Sequence, residues 1–488
     1  METVCGPAGL RKSFMLKRVP TGVAGLDPMI QGGFLERSLV LVTGPPGSGK
    51  TSLCCKYLEA GASMYNEKGL YVSLIESKEA LLANLLQQFG EHFSDLEECG
   101  MIHILAFPSM KGEGLPTMMD SIMATIKDVG VKRLVIDSIT ALSQSFTNEY
   151  ESRIFTHTVL TKLVPSYGCT TLITKELQSD KDYIGNSAED FIADGVFLLK
   201  RSDYHGRTLR ELVFAKLRGT RMISPVIPFT LEGGFTAFPP FHHKAFQHMR
   251  RLKRVPDSDS HFSTGLRSLD EILGGGYPRG SLVLLEVAEA VAFSAYGVIV
   301  HSIIANLLNN GSPSVGVCSL GIDPAGSYER LAISAGENVK YTRIAEKWSK
   351  AEGDVKPYSV LLKGETPEER LAEYLAIGAS LRKETGKPVI WWVALDHFVD
   401  IFGVEYAESA LSQLSIDVIR HRELAHILAK PGYEYLVGTV GNMAATHLRI
   451  LDRCGSILVY GVKPRTPIYD MTLDPEKGLS SAKFTPLL

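Results

Sequence analysis

The first place where this sequence could do chemistry is "GPPGSGKT", residues 44–51. It fits the spacing G-x-x-x-x-G-K-[ST], with an apolar run "SLVLVTG" leading in and a helical stretch "KTSLCCKYLEAGASMY" leading out. Gly44, Gly47 and Gly49 permit backbone turns that a side chain would obstruct, so successive N–H groups can converge on phosphate oxygens. The positive end of the following helix adds to that attraction, and Ser48 and Ser52 complete the set expected around the phosphates. Lys50 would reach the β- and γ-phosphates, and the Thr51 hydroxyl would ligate magnesium. The expected cofactors are ATP and Mg2+.

A loop of this kind needs a carboxylate to hold the metal, at the end of a neighbouring apolar strand. "RLVIDS" (133–138) supplies Asp137 at such a place. Hydrolysis also needs a group that orients or deprotonates water. Glu76, closing "GLYVSLIE", is the candidate; the plainer reading is a glutamate that favours the positive end of its own helix.

These residues must be carried by a frame. After the loop, strand-like runs "GLYVSLIE", "IHILAF", "KRLVIDS", "TTLITKE" and "GVFLLK" alternate with helical stretches such as "SKEALLANLLQQFG" and "LPTMMDSIMATIKDVG". Alternation of this sort predicts an α/β fold, a mostly parallel twisted sheet flanked by helices.

The frame occurs twice. "TGVAGLDPMIQGGFLERSLVLV" (21–42) and "TGLRSLDEILGGGYPRGSLVLL" (264–285) agree at ten of 22 positions without gaps, an offset of 243 residues, and "KRVP" precedes both. The sequence divides into a first domain over 1–240, a connection over 241–260 and a second domain over 261–488. The connection is rich in Pro, His, Lys and Arg. Its basic cluster of Arg250, Arg251, Lys253 and Arg254 could meet phosphate or nucleic acid, though a solvated linker has the same composition. The second copy repeats the strand theme with "SPSVGVCSLG", "PVIWWVALDH", "YEYLVGTVG" and "GSILVYG".

Taken together, "TGVAGLDPMIQGGFLERSLVLVTGPPGSGKTSL", "LYVSLIES", "RLVIDSITAL", "SAEDFIADGVFLL" and "VFAKLRGTRM" resemble the KaiC-type members of the RecA-like ATPases. The resemblance is close over residues 15 to about 235 and weaker over 253 to about 475. It implies two tandem RecA-like domains, a hexameric ring of two tiers, and ATP held between neighbouring subunits. It also implies that the "KLRG" segment reaches the neighbour's phosphates, which makes Lys216 and Arg218 trans-acting groups; unaided, "AKLRGTR" reads as a basic turn after a strand. Two departures stand out. Where the family has two adjacent glutamates this sequence has Ile75 and Glu76, and Met222 and Ser224 replace a His and a Lys beside the neighbour's nucleotide. ATP binding is therefore expected to survive, with slow hydrolysis.

Carried through the second copy, the 243-residue offset sets Val287, Ala290, Ala292, Phe293 and Ser294 opposite Gly44, Gly47, Gly49, Lys50 and Thr51. Three glycines and the lysine are gone together, and Glu286 and Glu289 add negative charge. Since amides and a cation supply most of the attraction for a triphosphate, MgATP is not expected here. The segment is expected to pack as strand, turn and helix in a core that no longer holds a ligand, with Asp396 still ending an apolar strand and His397 beside it.

Composition leaves the partner open. A net charge of -3, with 45% hydrophobic and 22% charged residues, forces neither nucleic acid nor membrane as a partner. Seven dispersed cysteines, without a C-x-x-C pair, suit reduced thiols, and the N-terminal stretch has no apolar signal core, so a cytoplasmic setting is expected. The expected function is an ATP-binding, slowly hydrolysing assembly with one active nucleotide site per chain and a scaffold second domain that could hold a protein partner in signalling or regulation. Alternatives are a mediator that binds single-stranded DNA and a serine/threonine phosphotransferase. The near-neutral or acidic stretches "SFTNEYESR" (145–153) and "QSDKDYIGN" (178–186) weigh against DNA.

Overall fold

The computed structural model describes residues 17–108, 114–144, 168–177, 188–241, 249–347, 356–473 and 482–488. The stretches 145–153 and 178–186 lie outside them, as do Cys5 and residues 242–248. The chain forms two compact units, Met1–Ser202 with Arg210–Pro239, and Asp203–Leu209 with Pro240–Leu488.

In the first unit a short hairpin of β1 (Arg18–Val19) and β2 (Phe34–Leu35) precedes the sheet. The nine described sheet strands are β3 (Leu39–Gly44), β4 (Gly69–Ser73), β5 (Ile102–Ala106), β6 (Arg133–Asp137), β7 (Thr170–Glu176), β8 (Gly195–Asp203), β9 (Thr208–Leu217), β10 (Val226–Thr230) and β11 (Thr236–Ala237). Their order is β11-β10-β9-β8-β3-β7-β6-β4-β5, with parallel pairing from β8 through to β5. Helix α1 (Lys50–Tyr65) follows β3 and α2 (Lys78–Phe89) follows β4. Both faces of the sheet are buried, which is why β3 reads as a continuous apolar run. Val40 and Val42 pack with Leu53 and Tyr57 of α1, while Leu39 and Leu41 pack on the other face with Ile122 and Ile126. Each such side chain, fully buried, contributes about 1.5–3 kcal/mol.

The second unit repeats the plan. A hairpin of β12 (His261–Phe262) and β13 (Tyr277–Pro278) leads to β14 (Ser281–Val287), β15 (Ser314–Val317), β16 (Thr342–Lys347), β17 (Ser359–Leu362), β18 (Ile390–Ala394), β19 (Leu424–Ala429), β20 (Thr446–Arg453), β21 (Ser456–Lys463), β22 (Ile468–Thr472) and β23 (Lys483–Pro486). The order is β17-β16-β15-β18-β19-β14-β20-β21-β22-β23, parallel as far as β20 and antiparallel beyond it. Both units are mostly parallel α/β sheets flanked by helices, as the alternating pattern predicts.

The shared sequence T-G-x-x-x-L-D has a physical reason. Thr21 donates through its backbone N–H and its hydroxyl to Asp27 Oδ1, each at 2.7 Å. Thr264 does the same to Asp270, again at 2.7 Å on both bonds. The Thr–Asp pair pins the turn that delivers the chain to β3 in one unit and to β14 in the other.

Two expectations about the second copy need correction. Strand β18 stops at Ala394, and Asp396 lies in the helix Leu395–Phe402, so it does not end the strand. Its carboxylate accepts from the Ser319 hydroxyl at 2.5 Å and the Leu320 N–H at 3.1 Å, while His397 Nδ1 sits 2.9 Å from the Cys318 carbonyl. "YEYLVGTVG" is not a strand; it falls in the helix Glu434–Met443, where Leu436 and Val440, four residues apart, are buried. The strand is the preceding "LAHILA". In the connection, Arg250, Arg251, Lys253 and Arg254 are exposed, and two hydrogen bonds join it to the second unit. The Leu252 N–H donates to the Ser334 carbonyl at 3.0 Å, and Arg254 Nε donates to Asn310 Oδ1 at 2.5 Å.

Candidate nucleotide site

Strand β3 ends at Gly44 and α1 starts at Lys50, so the loop between them opens at the C-terminal edge of the parallel strands. Gly47 has φ 73° and Gly49 has φ 100°, left-handed conformations that glycine adopts without penalty. A Cβ on Gly49 would also stand 2.9 Å from Leu231 Cδ2. The loop is thus shaped by glycines and leaves its amides uncovered by side chains.

Lys50 folds over this loop. Its Nζ donates to the Gly44 carbonyl at 2.8 Å and to the Pro45 carbonyl at 3.0 Å. Burial pushes the pKa of the ammonium down, and the carboxylates of Glu176 and Asp137 oppose that effect. Ser48 Oγ is buried with no hydrogen-bond partner among the described residues, and Ser52 is buried in the first turn of α1.

Asp137, at the end of β6, is gripped by three hydroxyls. Thr51 donates to Oδ2 at 2.8 Å, Tyr71 from β4 to Oδ2 at 2.5 Å, and Thr174 from β7 to Oδ1 at 2.6 Å. The pairing of Ser73 with Asp137 and of Ile136 with Ile173 sets these strands in the register that makes the contacts possible. A hydroxyl and a carboxylate at this spacing form a hard-oxygen donor set, the chemistry magnesium prefers, and the partnerless Ser48 hydroxyl fits a loop built for a polar ligand.

Glu76 lies three residues beyond β4, on the same edge of the sheet. Asn84 of α2 donates to its carboxylate at 3.1 Å, and its backbone closes a turn with Ser73. Lys216 and Arg218 are directed elsewhere. Lys216 Nζ donates to the carbonyls of Asp190 and Phe191 at 3.0 and 2.9 Å, and Arg218 to that of Phe191 at 3.1 Å, with Asp194 at 3.4 Å. These partners lie at the end of the helix Ala188–Ile192, where the Phe191 side chain is 67% exposed.

Two cations escaped the sequence reading. Arg210 of β9 donates to the Gly47 carbonyl at 3.1 Å, and Arg201 of β8 lies 4.0 Å from where a Gly47 Cβ would be. Burial, with Arg201 nearby, lowers the pKa of the Arg210 guanidinium. "KRSD" and "TLREL" hold these arginines on strands paired at the edge of the β3 sheet, a spatial link that no linear motif records.

The second loop has lost this geometry. The helix Phe293–Asn309 begins where the offset places Lys50, but Ala292 has φ -70° and ψ 153° against 100° and 18° at Gly49. Neither Ala290 nor Ala292 keeps a positive φ. Glu286 does not repel as a bare charge: Arg449 donates to it at 2.5 Å and His447 Nε2 lies at 2.9 Å. Burial alone would raise its pKa, but these bonds outweigh that effect and hold it below the ordinary value.

The ladders also identify what replaced Asp137. Leu39, Thr171 and Leu134 form one row in the first sheet, and Leu282, Ala425 and Trp391 the matching row in the second. Counting up from them, Ala394 stands at the position of Asp137 and Leu428 at that of Thr174. Gly316 pairs with Trp392 as Tyr71 pairs with Val135, so glycine replaces the tyrosine. Every oxygen that grips or adjoins Asp137 from the sheet is gone.

Residues 19–236 match the family model described as "ATPase: KaiC". The chain is 30% identical over 239 residues to UPF0273 protein MJ1359 of Methanocaldococcus jannaschii, covering 46% of this chain and 97% of that protein. It is 29% identical over 285 residues to the circadian clock oscillator protein KaiC of Thermosynechococcus vestitus, covering 56% of this chain and 52% of that protein. The chain thus spans about half the length of the KaiC proteins it matches. A crystal structure of a KaiC-like protein from Pyrococcus horikoshii aligns at 31% identity over 46% of this chain and 100% of that one, with a TM-score of 0.42. No described helix is long and apolar enough to cross a membrane.

Proposed function

Because this chain belongs to the KaiC-like ATPase family, we propose that its first unit binds ATP at residues 44–52 and hydrolyses it slowly, and that this is the one nucleotide site of the chain. The observation that carries the reading is the pairing of a glycine-shaped loop and Lys50 with the Thr51–Asp137 contact, set against the loss of all of these in the second unit.

Lys50 exchanges its two loop carbonyls for phosphate oxygens, and the amides of the loop share the negative charge. Thr51 and Asp137 would hold magnesium, which neutralises charge on the transferring phosphoryl group. Tyr71 and Thr174 fix the carboxylate's orientation, and Arg210 braces the crest of the loop at Gly47. Glu76 orients water, with Asn84 holding its carboxylate; one glutamate in place of two accounts for slow turnover.

Lys216 and Arg218 serve a neighbouring chain's site in a homo-oligomeric ring. Their bonds run to the end of the helix Ala188–Ile192, and the exposed Phe191 there supplies an apolar contact for that neighbour. The second unit acts as a scaffold in signalling or regulation.

The test is equilibrium binding of MgATP to the full chain. Wild type should bind one ATP per chain and Lys50→Ala none. One ATP per chain retained by that variant would refute the single-site assignment.

A further inference from the structure

We propose that the second unit binds a small planar aromatic carboxylate in an apolar cleft beneath the start of Phe293–Asn309, on the ground once occupied by the Asp137 constellation. Its empty space, with the open solvent at its mouth included, is about 620 Å³. It does not depend on the ATP assignment, since every residue used here belongs to the second unit.

Ala394 and Leu428, which stand where the first unit has Asp137 and Thr174, line this space, and Gly316, where it has Tyr71, lies against the lining residue Trp392. On the sheet face toward Phe293–Asn309, Val283, His426, Trp392 and Gly316 form one row, Leu285, Leu428 and Ala394 continue it one step up, and Cys318, just past the end of β15, also lines the cleft. Gly316 is needed because the Trp392 indole lies across it; a Cβ there would meet the ring at contact distances no real Cβ shows. Ala394, where the first unit has Asp137, keeps the floor above Trp392 low. Phe293, where the first unit has Lys50, supplies an aromatic wall with Tyr296, the two rings edge-to-face at 5.4 Å.

The polar features are few, which is what fixes orientation in an apolar site. Trp392 Nε1 and His426 Nε2 are buried with no hydrogen-bond partner among the described residues, and both side chains line the cleft. A buried polar nitrogen left without a partner is costly, so a ligand that offers one would be favoured. Burial pushes His426 down to about 4 and His301, also in the lining, down to about 3, so neither is charged at neutral pH. Arg330 then carries the positive charge of the lining, its guanidinium donating to the Ser327 hydroxyl at 3.1 Å and lying 5.4 Å from the Phe293 ring centroid, and no lining residue is acidic. Aromatic walls call for a flat ring system. A guanidinium at one end calls for a carboxylate.

The probe is 2-naphthoate, titrated calorimetrically into the full chain, with 2-naphthamide as its uncharged counterpart. Wild type should bind one naphthoate saturably and prefer it to the amide at least about tenfold, the effect of one charge-assisted contact. Arg330→Ala should remove that preference and leave the amide within about twofold. Ala394→Leu should fill the cleft and abolish binding of both, with an unchanged circular-dichroism spectrum as proof of folding; if it does not fold, Cys318→Met blocks the same space from the next strand. Absence of saturable binding to wild type at about 1 mM, or binding unmoved by the filling variants, overturns the site. Equal affinity for naphthoate and naphthamide in wild type overturns the carboxylate assignment.

Discussion

Thr51 and Asp137, 86 residues apart, meet at 2.8 Å, the hydroxyl donating to the same carboxylate oxygen that accepts from Tyr71. The contact joins the first turn of a helix to the end of a strand two places away in the sheet, β3 and β6 being separated by β7. It exists because each element ends at the same edge.

If Asp137 is oriented for magnesium by the hydroxyls around it, loosening them should weaken metal use without touching the phosphate loop. Tyr71→Phe and Thr174→Val each remove one bond at 2.5 and 2.6 Å. Each should weaken the magnesium dependence of ATP binding and turnover about 10- to 100-fold, as loss of an outer partner of a metal ligand does. Affinity for ATP in excess chelator should stay as in wild type. The check is nucleotide titration across a magnesium series. Equal losses with and without metal would mean these hydroxyls merely support the fold.

Restoring the second loop should not restore a second site. A chain in which residues 287–294 are replaced by "GPPGSGKT" regains glycines, lysine and threonine, yet Ala394 and Leu428 still stand where Asp137 and Thr174 should be. Bound MgATP counted by equilibrium dialysis should remain one per chain. A count of two would show that the loop alone decides, and that the sheet-edge oxygens matter little.

Much of this was legible in the sequence because it is local. The phosphate loop, the helix beginning at Lys50 and its counterpart beginning at Phe293 follow from spacing within a few residues, and the 243-residue repeat transfers one to the other. Asp137 was legible as an apolar run ending in a carboxylate. By the same rule Asp396 was misplaced, because "VALDH" continues past the strand into a helix and only the ladder shows that Ala394 is the last paired residue. Arg210 and the cleft were invisible for a related reason. The first depends on a hairpin folding back to Gly47, and the second on three strands setting Gly316, Trp392 and His426 side by side.

If Lys216 and Arg218 act on a neighbour's nucleotide, two defective chains should repair each other. Lys50→Ala has no nucleotide of its own but carries both cations; Arg218→Ala binds nucleotide but lacks one of them. Mixed before assembly, the pair should show more ATPase activity than either alone, approaching about a quarter of wild type for randomly mixed interfaces. Mixed oligomers confirmed by mass but inactive would place Arg218 outside the reaction. Wild type that stays monomeric with and without MgATP would remove the basis of the trans assignment.

Acid sensitivity of the second unit should trace in part to His426. Its ring is buried and pushed from about 6.5 down to about 4, chiefly by desolvation. Above pH 6.5 neither the folded nor the unfolded state binds the proton. Between 6.5 and about 4 the unfolded chain takes it up and the folded chain does not, so stability falls with pH, by as much as about 1.4 kcal/mol per unit, and levels off below about 4. His426→Leu installs the residue found at the same ladder position in the first unit, Leu172, and removes this term. His301 has the same slope and Asp470, its carboxyl pushed well up by burial, the opposite one; both persist in the variant and cancel in the comparison. Denaturant midpoints measured from pH 7 to pH 4 should therefore show the variant gaining on wild type steadily below 6.5. A constant difference across that range would mean His426 takes up its proton at the same pH in the folded and unfolded chain, as a ring exposed to water does.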